Sequence, residues 1–385
     1  MYKRFLTLLV LSVLSFGLSP ALGQTKPGPA PHVEQTPKPP RPPTTPKPGK
    51  VTSVTPAERV DEQDQAKIEP VSVKLARGGK VAISSRAGQI FVSGWDRDIV
   101  QASAAGEAGP VPIETQTTGD PARPRLLLTV SGRRFAQRDA RLDVKVPRYA
   151  DVETLEGYRG DIDVADIEGS TLINAGNGDV KVMRVGSLKV SRRSGDVTVS
   201  EVKGDLTARS YNGDVDVSNV EGVVDVAASS GDLSVRNAGA DVRANSATGD
   251  VHVRCAKGRA DVASASGSIT LIGVGGDVEA STASGDVIFT APIRSGGNYR
   301  LKSLSGTVAM TIQPDVAGFT ATLTTYSGEI DTGFPLKLEN PVQGPPINRR
   351  VIGVYGNGQA KIALDSFSGT VRIAKGTPAA LKECK

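Results

Sequence analysis

The chain has little of what most enzymes and wide-cored domains are built from. Of its 385 residues only 4% are aromatic, with one Trp, two His, two Cys and three Met. His32 lies in a proline-rich stretch and His252 alone on an alternating pattern, so no Ser-His-Asp set and no His-rich zinc site can be assembled. A hydrophobic content of 38%, dominated by Val and Ala, excludes a wide globular core and suits a thin one between closely stacked strands. Long apolar runs are missing beyond the N-terminus, where Lys3 and Arg4 precede an apolar stretch from Phe5 to Leu18 that ends in Ala21-Leu22-Gly23. That is the pattern of an export signal cut before Gln24; residues 1–23 are therefore read as a signal peptide, with no transmembrane segment once it is removed.

The two cysteines, Cys255 and Cys384, are expected in an oxidising compartment. A bridge between them requires the C-terminus to fold back onto the middle of the chain; two unpaired thiols or one intermolecular bridge is the simpler expectation. Cys255 near His252 is read as an incidental pair rather than a reactive or metal-binding one. The net charge of +5 is carried by the leader and by Lys26, Lys38, Arg41, Lys47 and Lys50, which leaves the chain from residue 51 onward close to neutral. A nucleic-acid-binding body would carry a basic surplus there, so that class is set aside.

What the chain does have is proline and glycine, 25 and 43 residues. The prolines crowd into 24–56, a composition that favours extended polyproline II and serves as a semi-rigid linker or stalk. Residues 57–70 are polar. From Val71 short β-branched runs are punctuated by Gly, and 71–150 is read as an N-terminal β region with an irregular insertion at 104–124. From Gly160 to Gly285 glycines recur every nine residues, with slips of one. A fixed short period over this length marks a repeat architecture. Every second unit places a polar residue before the Gly, as in Asn177-Gly178-Asp179, Ser194-Gly195-Asp196 and Asn212-Gly213-Asp214, so one coil is about 18 residues with two strands and two turns. In the coil from Gly195, Val197, Val199, Val202, Leu206 and Ala208 share the inward face. Val215, Val217, Val220, Val224 and Val226 repeat this in the next. The fold class that follows is all-β, an elongated parallel β-solenoid of two-sheet coils with capped ends, spanning 71–375 with regular repeats over 151–285. Longer C-terminal coils follow over 286–375, with a tail at 376–385. Phe289, Phe319, Tyr326 and Phe367 are the expected cap residues, because an uncapped last coil exposes a strand edge and its apolar interior.

Gly94-Trp95-Asp96 after the Gly88-Gln89-Ile90 strand, the Leu142-Asp143-Val144-Lys145-Val146-Pro147 strand, and the ladder of Gly-Asp-Val and Ser-Gly-Asp units together resemble the bacterial family of putative adhesins with a repeated β-strand domain of unknown function. The resemblance covers roughly residues 70–375 and implies the architecture above.

The most visible candidates for chemistry are Asp179, Asp196, Asp214, Asp232 and Asp250, which a parallel coil stacks at about 4.8 Å. One reading is a cation ladder, with calcium as the ion. The favoured one has each Asp accepting backbone N–H bonds within its own turn, because a single carboxylate per turn is far from the six to eight oxygens calcium takes. Any Asp column also yields the 5–9 Å carboxylate pairs of a glycosidase without specifying one, and no departure from the repeat marks out a cleft. Trp95 is expected to pack on the side of the tube; Tyr211 is a candidate for stacking on sugar. The expectation is therefore an exported, non-catalytic β-repeat protein of the periplasm, cell surface or exterior, without cofactor, binding a protein or glycan of the envelope or serving as a scaffold. A polysaccharide-active β-helix enzyme is the alternative.

Overall fold

The computed structural model describes residues 70–85, 88–106, 109–121, 123–130, 140–154, 159–339, 347–376 and Cys384. The signal peptide, the Pro-rich linker and residues 57–69 lie outside these, and every described residue belongs to one compact unit, Glu62–Lys385. Thirty strands and no α-helix are found among the described residues. Most pair in parallel, and through the array the partner of residue i is i+18, as in Val197↔Val215, Val215↔Leu233 and Leu206↔Val224. One coil is short, with Val180↔Val197.

The pairings run in two ladders. One carries Val197–Val202, Val215–Val220, Leu233–Ala238 and Val251–Ala256, the other Leu206–Asn212, Val224–Ser230, Val242–Thr248 and Ala260–Ser266. Two longer strands, Ile162–Asn177 and Val180–Ser194, contribute to both. Their inward Val, Leu and Ala side chains meet in one continuous core; every residue named above for the inward face is buried.

Val199 and Val202 are three apart although a strand side chain returns to the same face every two residues. Glu201 between them has φ of 58°, and the same left-handed residue recurs in each coil as Asp166, Arg184, Asn219, Asn237 and Cys255, ending at Gly273 with φ of 69°. One left-handed residue per coil bends the strand and brings the next apolar side chain back inside. The bend costs an L-residue roughly 1–2 kcal/mol, and Asn suits it best. Asn237 Nδ2 donates to Asn219 Oδ1 at 2.9 Å, linking one bend to the next.

At the opposite edge the turn glycines stack. Gly195, Gly213, Gly231 and Gly249 have φ between 120° and 131° or just below, at 118°, and a Cβ at Gly213 would overlap the carbonyl of Gly195. Towards the C-terminal coils the inward position just before this turn carries a short hydroxyl. Thr282, Ser303 and Ser366 donate to the carbonyls of Gly267, Gly285 and Gly306 at 2.9, 2.8 and 2.9 Å. These buried polar atoms are thereby satisfied while closing the turn.

Three expectations need correction. Residues 104–124 are not irregular throughout, since Ile113–Asp120 is a strand that pairs antiparallel with Arg123–Val130. Tyr326 and Phe367 do not fill the cap; they stack on each other outside it, ring centroids 4.7 Å apart, and are 45% and 52% exposed. The cap core is Phe319 with Phe334 and Tyr355, at 5.2 and 5.5 Å, under the antiparallel strand Ile347–Gly356. Third, Cys255 and Cys384 are joined by a disulfide.

The disulfide follows from the strand order at the C-terminal end. Strand Ala360–Ser368 lies between Asn298–Ser305 and Gly318–Ser327, parallel to both, and Val371–Lys375 lies likewise between Val308–Ile312 and Ile330–Thr332. The last coil of the chain is thus inserted beneath the capping coil. The Gly376 N–H bonds Ile312 O, and Cys384 lies against the coil of Cys255.

Candidate functional site

Each Asp of the conspicuous column accepts a backbone N–H, but from the turn of the next coil rather than its own. Asp179 Oδ1 accepts from Asp196 N at 3.0 Å, Asp196 from Asp214 at 3.0 Å, Asp214 from Asp232 at 2.8 Å, and Asp232 from Asp250 at 2.8 Å. Asp250 accepts from Ser268 N at 2.7 Å. The opposite turn repeats the device in alternate coils, with Asp205 accepting from Val223 and Asp241 from Arg259, both at 2.8 Å. The carboxylates therefore set coil-to-coil register. A strand ladder leaves turn N–H groups without a partner, and the Asp supplies one. Among the described residues no group of three or more His, Cys, Asp or Glu is arranged to hold a metal ion. Substituting Asp214 by Ala leaves the Asp232 N–H without its acceptor, and denaturant melts are expected to show a loss of about 1–2 kcal/mol.

Of the other sequence candidates, Trp95 is half-buried, with its indole N–H donating to Ile99 O at 2.8 Å and the Arg97 guanidinium 5.0 Å from its ring centre. His252 is exposed, and the disulfide removes Cys255 from any thiol chemistry with it. Tyr211 is 61% exposed.

Two concave features were not foreseen. The left-handed column produces a groove of about 880 Å³ along the corner of the rod, running from Arg148 and Asp166 to Gly275 and Cys384. It draws on seven successive coils, about 29 Å at roughly 4.8 Å per coil. One wall is the left-handed column; the other includes Glu168, Lys203, Glu221 and Lys257. Its floor is the backbone over Val202, Val220, Ala238 and Ala256. At one end Arg184 Nε donates to Asp166 Oδ1 at 2.7 Å, which holds the Asp166 carboxyl below the ordinary carboxylate range. At the other, the sulfur of Cys384 lies 2.6 Å from where a Cβ would stand on Gly273, so the chain's own terminus fills the last bend. Acids and bases alternate along the groove.

The second feature is a notch of about 930 Å³ on the glycine-turn edge, around Arg192. Contrary to the expectation of an unbroken repeat, Arg192 stands where other coils carry Ala175, Ser210, Ala228 and Ser246. Aligning the coils by register exposes this substitution; reading only the Gly and Asp columns does not.

Two solved structures show some likeness. A putative cell adhesion protein from Clostridium sporogenes ATCC 15579 shares 9% identity over 80% of this chain and 100% of its own, with a TM-score of 0.20. A putative adhesin from Bacteroides fragilis NCTC 9343 shares 12% over 80% and 97%, with a TM-score of 0.29. Likeness at this level carries no functional inference. No curated protein matches the chain. Two successive segments, 128–261 and 254–374, match the family described as Toastrack DUF4097; together they cover more than half of the sequence, and the chain belongs to that family.

Proposed function

We propose that this protein is an exported, non-catalytic rod of the cell envelope or surface, carried on its Pro-rich segment 24–56 and binding an extended polymer, glycan or protein, along the corner groove. The observation that carries the reading is the groove itself, whose shape repeats over seven coils while its side chains change from coil to coil. A site of that form suits many weak contacts along a linear partner better than one reaction centre. The alternation of acidic and basic walls favours neither a polyanion nor a polycation.

The test places bulk in the groove. Lys203 and Glu221 are exposed wall residues outside the left-handed positions, so Lys203→Trp with Glu221→Trp adds volume without straining a bend. The full chain is expected to bind at least one polymer among peptidoglycan fragments, neutral glucans and envelope protein preparations. The double variant should bind it at least about tenfold more weakly, a loss of ~1.4 kcal/mol. Release of shortened products from any polysaccharide would sink the non-catalytic reading. The rod as proposed needs no cation, because its Asp column is engaged by N–H groups, so millimolar calcium is expected to leave the melting temperature unchanged.

A further inference from the structure

The strand face that carries the exposed aromatic stack is uneven in a way that coil formation does not require. Leu304, Phe367 and Tyr326 are 52%, 52% and 45% exposed, and the register places them in one outward column of three adjacent coils. Continued toward the N-terminal coils, the same column holds Ala283, Ala265 and Ala247, also exposed. Three large apolar side chains thus follow three small ones at equal spacing, about 24 Å from Ala247 to Tyr326 at roughly 4.8 Å per coil. Large apolar side chains gathered into one exposed ridge mark an interaction surface. The Phe367 and Tyr326 rings lie within 4° of parallel at 4.7 Å, so each covers a face of the other and the ridge presents ring edges, which suits packing into a groove better than stacking on a sugar.

We infer that this face pairs antiparallel with the same face of a second copy of the chain, about a two-fold axis between strands Val278–Ser284 and Asn298–Ser305. A two-fold interface must be complementary to itself. This axis sets Ala283 against Leu304 of the second copy, Ala265 against Phe367 and Ala247 against Tyr326, so each large side chain meets a small one. In the neighbouring outward column Lys302 meets Ser281 and Asp365 meets Ala263. In the column after that Glu279 meets Arg300, which puts opposite charges beside the axis, and no like charges are opposed in these three columns. The six strands and their outward positions form a face of about 29 Å by 20 Å, roughly 600 Å² per copy, the size of a weak, reversible dimer. The corner groove draws on strand ends of the other ladder, so pairing leaves it open.

Sedimentation equilibrium of the full chain tests this. A monomer–dimer equilibrium is expected, with a dissociation constant of about 10–100 μM. Ala265→Phe sets ring against ring across the axis and Phe367→Ala leaves a gap, so each alone should weaken dimerisation at least about tenfold. The two together exchange the large and the small position, and should restore the dimer to within about threefold of the parent. Both side chains are exposed, so the melting temperature is expected to hold in all three variants, which separates loss of pairing from loss of fold. Lys203→Trp with Glu221→Trp should leave dimerisation unchanged, which separates this face from the groove. The proposal is overturned by a chain that stays monomeric at about 0.5 mM, by single variants that dimerise like the parent, or by a double variant no better than the singles. A monomeric chain that binds phosphatidylglycerol vesicles, and loses them with Phe367→Ala, would assign the ridge to a lipid surface and overturn it too.

Discussion

Gly213→Ala is expected to destabilise the central coils by about 2–5 kcal/mol. Two costs combine. The backbone at Gly213 has φ of 118°, and a Cβ there would overlap the carbonyl carbon and oxygen of Gly195 in the coil below. The first is a conformation that L-residues avoid at roughly 1–2 kcal/mol. The second is overpacking, typically 1–3 kcal/mol where neighbours cannot give way. They cannot give way here, because the coil spacing is fixed on both sides by strand ladders and by the Gly213 N–H to Ser230 O bond at 3.1 Å. Gly296 is the matched control, with φ of 74° and open space around its Cβ position, so Gly296→Ala bears only the conformational cost. In a solenoid the damage is also local. Hydrogen exchange should show protection lost in the coils around residues 195–231 while the C-terminal coils keep theirs. A Gly213→Ala chain that melts no lower than Gly296→Ala would refute the stacked-turn account.

The coil was legible in the sequence because its two strongest constraints are chemical and local. A left-handed turn needs Gly, and a thin core needs small apolar residues at alternate positions, so Gly195 to Gly249 and Val197 to Val226 announce themselves. The corner groove was not legible. Its left-handed residues are Asp166, Arg184, Glu201, Asn219, Asn237 and Cys255, a set with no shared chemistry, and only the three-residue step from Val199 to Val202 hints at them. The Asp column was visible but its bonds run between coils, a fact about stacking that no single turn contains. Nor was the insertion of Ala360–Ser368 beneath Gly318–Ser327 visible, since strand order is not encoded in the strands' own alternation. Without that insertion the bridge from Cys384 to the middle of the rod looked remote.

Cys384→Ser is accordingly expected to free the C-terminal end of the rod. The bridge closes a loop with a sequence separation of 129. Chain entropy for a loop of that size corresponds to about 5 kcal/mol, against measured values that more often fall near 2–4. What it secures is the last coil, Ala360–Lys375, which lies between two coils that precede it in the chain. Loss of the bridge should lower the melting temperature and raise hydrogen exchange over 298–375, with little change over 197–230. Unchanged melting and exchange in the variant would show that the inserted coil holds without its tether. A second pair of variants divides the bridge from the bend beneath it, because Cys255 has φ of 57° and is itself one of the left-handed residues. With Cys384→Ser in both, Cys255→Gly should be more stable than Cys255→Ser by about 1 kcal/mol, the conformational penalty that glycine escapes. The next residue up the column, Gly273, is already a glycine, and the space its missing side chain leaves is where Cys384 sits. Gly273→Ala should therefore disturb the bridge from the other side, slowing its re-formation after reduction while leaving the coils below Cys255 as they are.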